Sequence, residues 1–187
     1  MVSENRMLDV GIPRLLLAYN NLAYHLLLIK DESAEEYALT GLRLAREQGI
    51  LPVQTYLLST LGEIALARGH LDAAENYFKE GLALAERIAM PERIAGFTAN
   101  LGLLASQRGK MDTAIHRLST AMKASDDLGT RHLSAQIRIW LAPLLAEEEG
   151  KALLAEARAI AEAGGRKRLL EEISRLSNAG STYLSRN

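Results

Sequence analysis

Leu-Gly-Glu-Ile-Ala-Leu-Ala-Arg-Gly-His-Leu-Asp-Ala-Ala, residues 61–74, returns in outline as Leu-Gly-Leu-Leu-Ala-Ser-Gln-Arg-Gly-Lys-Met-Asp-Thr-Ala, residues 101–114. The same interval reaches well beyond these two stretches. Leu61, Leu101 and Leu141 form one column, and Gly62, Gly102 and Ala142 the next. Ala34, Ala74 and Ala114 form another, followed by Gly41, Gly81 and Ala121, then Leu42, Leu82 and Met122. A period of about 40 residues marks stacked supersecondary units, each burying its apolar face against its neighbours. Such a stack presents a long surface suited to holding another chain.

Within each unit the apolar residues recur at helical spacing. Leu57, Leu58, Leu61, Ile64 and Ala65 share one helix, and Ala73, Ala74, Tyr77, Phe78, Gly81, Leu82 and Ala85 its partner. The next unit repeats this with Phe97, Leu101, Leu104 and Ala105, then Ala114, Ile115, Leu118, Ala121 and Met122. Gly69 and Gly109 stand where the first helix of each pair must end, because glycine takes the left-handed C-terminal conformation without a Cβ clash. Asp72 and Asp112 lie near the next helix start, where a carboxylate suits the free amides. Ser33 with Glu36 reads as a capping box. Pro52 and Pro91 fall at helix beginnings, where the missing amide hydrogen costs little.

These signals predict helices at 12–29, 33–48, 53–68, 71–88, 92–108, 111–128, 131–147, 151–163 and 166–177. The first and last units are less regular. Leu22-Ala23 stands one position closer to Leu61-Gly62 than the period requires, and Pro143 should kink or shorten its helix. Terminal repeats are commonly atypical, since one side faces solvent. The expected organisation is therefore repeats over 12–163, divided near 12–50, 53–90, 92–130 and 131–163. A capping helix follows at 166–177, with Leu169, Leu170, Ile173 and Leu176 toward the stack, then a mobile tail at 178–187.

Composition narrows the function classes. The chain is 187 residues, 48% hydrophobic but only 5% aromatic, which suits closely packed Ala/Leu helices better than a β-sandwich. A formal net charge of −1 argues against a non-specific nucleic-acid binder, which usually carries a basic surplus. The absence of cysteine excludes disulfides, thiolate metal sites and Cys nucleophiles, and is compatible with a reducing cytoplasm. Met1 to Gly11 lacks the apolar core of a signal peptide, and the apolar run Leu26 to Ile29 is too short for a bilayer.

The columns resemble the tetratricopeptide repeat, whose pattern is a Leu-Gly pair in the first helix, a turn glycine, then Ala, a large apolar residue four later and a small residue three later. Leu61-Gly62, Gly69, Ala74, Phe78 and Gly81 match it, as do Leu101-Gly102, Gly109, Ala114, Leu118 and Ala121. The usual repeat is about 34 residues long, so these units carry extra length near the join between pairs. Leu58 and Thr98 replace the family's early aromatic. Lengthened repeats of this kind are similar to those of bacterial signalling proteins, including maltose-regulon-type transcription activators, and of kinesin light chains.

In that family the first helix of each pair lines an inner groove. The resemblance implies peptide-binding positions at Asn20, Asn21, Tyr24, Tyr56, Ser59, Glu63, Asn100, Leu103, Gln107 and Gln136. Leu17, Leu28, Thr60, Ala67, Ala99, Ile139 and Trp140 fall on the same face. Asn21 and Asn100 precede their Leu-Ala and Leu-Gly pairs, where a related asparagine holds peptide backbone by donating and accepting at once. The competing reading is an amide that bonds a neighbouring helix. A chaperone-tail carboxylate clamp is not expected, because the equivalent positions are mostly neutral or apolar. Tyr19, Tyr24 and Tyr56 with Leu27 and Leu28 suggest an aromatic lining for a partner helix, although apolar stripes at helical spacing are usually core. Trp140 reads as a plug beside Pro143, with an interface anchor as the other reading.

No catalytic constellation is visible. His25, His70, His116 and His132 are scattered without metal-ligand spacing. Gly164-Gly165-Arg166-Lys167-Arg168 reads as a basic turn, not a phosphate-binding loop. Glu147-Glu148-Glu149 reads as a helix end in solvent, frayed because carboxylates there oppose the macrodipole. The expectation is an all-α, right-handed α-α superhelix of about four helix pairs plus a capping helix. Its expected role is a non-catalytic, cytoplasmic protein-interaction module with a protein or peptide partner, within a bacterial signalling or transcription-regulatory protein. No cofactor, metal, direct nucleic-acid contact or membrane association is expected. Two alternatives stay open: a small-effector sensor domain, and a scaffold self-associating through its end faces as a homodimer or array.

Overall fold

Gly69 and Gly109 adopt φ of +75° and +72°, the left-handed conformation the turn pattern requires. Each closes its helix with a hydrogen bond one turn wide: His70 N–H donates to Ala65 O, and Lys110 N–H to Ala105 O, both at 2.9 Å. The same closure recurs at Gly49 and Gly129, and at Ala89, where a side chain is carried at φ +52°. Geometrically, then, the chain turns at 49, 69, 89, 109 and 129, an even step half as long as the sequence period. The sequence period spans two such steps, because alternate helices carry different residues.

The computed structural model describes residues 2–184, with the side chains of residues 11–177. Every regular element among the described residues is helical: α1 (Val2–Leu28), α2 (Ala34–Glu47), α3 (Leu51–Ala67), α4 (Leu71–Arg87), α5 (Pro91–Gln107), α6 (Met111–Asp127), α7 (Arg131–Leu141), α8 (Glu147–Ala163) and α9 (Lys167–Leu184). A 3-10 turn, Ala142–Leu144, joins α7 to α8. The chain divides into two compact units, Met1–Asn100 and Leu101–Asn187.

In the first unit α1 packs on α2 and α3, α2 on α3, and α3 on α4. Its core holds Leu16, Leu57, Leu58, Leu61, Phe78 and Phe97, all fully buried. The small residues of the repeat explain how the helices come this close. The Phe78 ring lies where a Cβ on Gly62 would project, and the Phe97 ring occupies the equivalent space at Gly81. In the second unit Gly102 receives Leu118, whose Cγ would be 2.9 Å from an added Cβ. Each glycine thus accepts the large residue 16 positions later. Small-to-large change at such contacts overpacks the core.

In the second unit α7 packs on α6, α8 and α9, and α8 on α9. Ala135, Ile139, Ala157, Ala161, Leu169 and Ile173 form its core, with Trp140, Leu154, Leu170 and Leu176 packed against it. Trp140 is half-buried there, packed against the core.

Several boundaries differ from the sequence-based expectation. Pro143 ends α7 at Leu141 instead of leaving a helix to 147, since it has no amide hydrogen for an α-helical bond. Glu147-Glu148-Glu149 accordingly begins α8 rather than ending a helix. There the carboxylates face the positive end of the macrodipole, and Lys151 pairs with Glu147 at 2.7 Å and Glu148 at 3.4 Å. Ser33 does not form a capping box: its hydroxyl donates to Asp31 Oδ1 at 2.5 Å, and no side-chain cap bond is made to α2. The first helix begins at Val2, not near 12, and runs through Pro13. The backbone of α9 stays helical to Leu184, past the predicted end at 177; residues 185–187 of the expected tail lie outside the described residues.

Candidate functional site

The odd-numbered helices of the first unit carry a connected set of polar side chains. Thr60 Oγ1 on α3 donates to Asn20 Oδ1 on α1 at 2.9 Å. One residue earlier, Ser59 Oγ donates to Glu63 Oε1 at 3.1 Å and accepts from Asn100 Nδ2, on α5, at 3.3 Å. The Thr60–Asn20 and Asn100–Ser59 bonds join residues 40 and 41 positions apart, so the sequence period brings like positions side by side. Asn100 is 6% exposed and Ser59 8%, so their hydrogen bonds are protected from water.

Arg93, at the start of α5, completes the set. Its guanidinium sits 4.5 Å from the Tyr56 ring centre and 5.3 Å from that of Phe97. Nη2 donates to Thr55 O at 3.4 Å, whereas Nε is buried without a hydrogen-bond partner. Burial pushes the Arg93 pKa down, and Tyr56, Glu63 and Glu92 act in the opposite direction. Desolvation strengthens the cation–π contacts that a half-buried guanidinium makes with the rings flanking it. Chemically, the half-buried part of the face offers the Arg93 guanidinium, the Tyr56 phenol, the Glu63 carboxylate and the Asn20 amide, with Ser59 and Asn100 buried beneath. That set can meet a peptide's backbone and its acidic groups.

Sequence reasoning missed Arg93. The available signal was its column: it stands between Val53 and Leu133, at a position where the neighbouring repeats place apolar residues. A cation in an apolar column either snorkels or serves a purpose.

The ten expected positions divide unevenly. Asn20, Tyr56, Ser59, Glu63 and Asn100 come together around α3. Asn21 is exposed, and Tyr24 is half-buried with its ring 6.4 Å from that of His25. Tyr19 approaches Tyr37 of α2, also at 6.4 Å, so it packs between helices. Leu103, Gln107 and Gln136 belong to the second unit. Leu103 is half-buried, Gln107 is exposed, and Gln136 Nε2 donates to both Glu172 oxygens of α9 at 3.3 Å.

Among the described residues no group of three or more His, Asp or Glu is placed to hold a metal ion. No helix among them is long and apolar enough to cross a membrane.

No protein-family model matches the sequence, and no curated protein sequence matches it. Solved structures do match. Aspartyl phosphate phosphatase F from Bacillus subtilis superposes with a TM-score of 0.71 at 13% identity, over 86% of this chain and 44% of that one. The apo form of RapI gives 0.72 at 15% identity, over 100% of this chain and 73% of that one. The fold is a tetratricopeptide-like helical repeat. BtubC (BKLC) from P. vanneervenii is similar at a TM-score of 0.56 and 15% identity, over 92% of this chain and 82% of that one. This chain thus spans less than half the length of the Bacillus phosphatase.

Proposed function

We propose that the chain is a non-catalytic interaction module that binds an extended peptide or a helix on the α1–α3–α5 face of its first unit. The observation that carries this reading is Arg93, a half-buried guanidinium held between Tyr56 and Phe97. Glu63 extends the polar face beside it, with Ser59 and Asn100 bracing it from the buried side. Partner side chains that bring an acidic or amide oxygen to Arg93 fit best, because arginine donates in a planar fork. The binding positions on this face are Asn20, Asn21, Tyr24, Tyr56, Ser59, Glu63 and Asn100, with Leu103, Gln107 and Gln136 as further positions in the second unit.

The resemblance to lengthened repeats supports a place in a bacterial signalling or transcription-regulatory protein. The likeness to RapI and to the Bacillus phosphatase supports the same fold-level comparison. Fluorescence polarisation against a peptide library, compared between the parent chain and Tyr56→Ala, tests the proposal. Binders that lose about tenfold or more in affinity with the variant support it, as expected for an aromatic anchor. A library without binders, alongside a small-molecule thermal-shift hit, favours the sensor alternative.

A further inference from the structure

At the junction of α7, α8 and α9 the second unit has a partly open pocket of about 100 Å³. Arg131 and His132 from the first turn of α7 and Arg166 from the turn before α9 form its polar wall. Ile160 and Leu169 line it from the apolar side, and Leu169 is buried in the core beneath. Lys167 and Arg168 follow directly in the chain. Positive charge thus converges on one small space from two helices distant in sequence.

The ordinary explanation for a basic turn after a helix is compensation of that helix's negative C-terminal end. It accounts for Arg166, but not for Arg131 and His132, which belong to another helix. Nor does the acidic run of α8 neutralise the cluster: Glu147 and Glu148 pair with Lys151, at the opposite end of a 17-residue helix, about 25 Å away. Among the described residues no ion pair engages Arg131, Arg166 or Lys167. Arg131 and Arg166 thus bring positive charge without ion-pair partners to the pocket; the C-terminal end of α8 at Ala163 and Gly164 offsets part of it, and the first turns of α7 and α9 add the positive ends of two helix dipoles.

We propose that this pocket is a binding site for a phosphoryl dianion, either inorganic phosphate or the phosphate of a small phosphomonoester. Arg131 and Arg166 supply charge-assisted hydrogen bonds, and the small volume admits one tetrahedral oxyanion rather than a nucleotide. His132 reports on occupancy. Without a ligand its protonated form is disfavoured, by removal from water and by Arg166 and Arg168. The charged groups around the ring are Arg131 on α7 and Arg166 and Arg168 at the start of α9, whereas α8 contributes Ile160, Ala163 and Gly164. A bound dianion reverses that field, so by linkage it must raise the His132 pKa.

Titration calorimetry of the full chain at fixed ionic strength tests this, with inorganic phosphate and glycerol phosphate as probes and chloride as control. Saturable one-site binding of either phosphate is expected, weakened about tenfold or more by Arg166→Gln and by Arg131→Gln. Both residues are exposed, so neither change threatens the fold. Lys151→Gln, at the far end of α8, should bind like the parent. Tighter binding of glycerol phosphate supports a phosphomonoester site, and tighter binding of inorganic phosphate a free-phosphate site. In parallel, NMR titration of His132 should show its pKa rising with phosphate. Heats or shifts that chloride reproduces, or Arg166→Gln and Arg131→Gln variants that bind like the parent, overturn the proposal.

Discussion

Gly62 shows how one missing carbon sets the spacing of two helices. An added Cβ would fall on the buried Phe78 ring, which has no room to retreat. Gly62→Ala should therefore cost about 1–3 kcal/mol, read as a lower urea midpoint with an unchanged slope. The same column in the second unit pairs Gly102 with Leu118, a smaller partner. Combining Gly62→Ala with Phe78→Leu should accordingly cost less than the sum of the two single changes, as a double-mutant cycle would register. Gly96 is the contrasting case. It lies inside α5 with nothing within 4 Å of a built Cβ. Gly96→Ala should stabilise by about 0.5–1 kcal/mol through helix propensity and chain entropy. The Leu-Gly pairs were readable as close contacts from sequence; that Gly96 is not one of them required the structure.

Among the helices, the turns and one ion network decide where each stops and how it is held. Ala89 occupies the left-handed position that glycine fills at 49, 69, 109 and 129. A Cβ there costs about 1–2 kcal/mol, so Ala89→Gly should raise stability despite glycine's greater unfolded-state entropy, seen as a higher melting temperature. Arg138 of α7 bonds Asp126 of α6 at 2.9 Å and Glu156 of α8 at 2.8 Å, tying three helices from a nearly buried position. The Arg138 hydrogen bond is the main cause holding the Asp126 carboxyl below its usual value; burial opposes it and Ser134 adds to it. A lowered folded-state pKa contributes stability above the ordinary carboxylate value, lost as pH falls through the folded value. Asp126 is 41% exposed, so the effect is screened to about 1 kcal/mol or less. Asp126→Asn should be less stable than the parent at pH 7 and lose less stability between pH 5 and 3, measured by urea unfolding. Glu147-Glu148-Glu149 shows what periodicity alone misreads. Helical spacing carried a helix across Pro143, whereas backbone chemistry ended it at Leu141, and the acidic run changed from a helix end to a helix start.

Across the whole chain, alternation of helix types is what the sequence made legible. Columns such as Gly62/Gly102 and Ala74/Ala114 recur at every second helix, where the same packing chemistry returns. The shorter turn step stayed hidden because Ala89 replaces a glycine and because neighbouring helices bury different residues. The binding face was legible only in outline. Asn20, Tyr56, Ser59, Glu63 and Asn100 follow from repeat position, but Asn100 is engaged with Ser59 on the neighbouring helix. Arg93 follows from no repeat rule, since its column is otherwise apolar. Its charge acquires meaning only once Tyr56 and Phe97 are placed around it.

Whether the α1–α3–α5 face of the first unit receives a peptide can be read at single residues. An NMR titration of the isotope-labelled chain, with a peptide selected against it, follows side-chain and amide resonances together. Tyr56, Ser59, Glu63, Arg93 and Asn100 should shift in concert and saturably, and Tyr56→Ala should remove the response. Saturable shifts confined to α2 and α4, with these five residues unmoved, would place the peptide elsewhere and refute the proposed face.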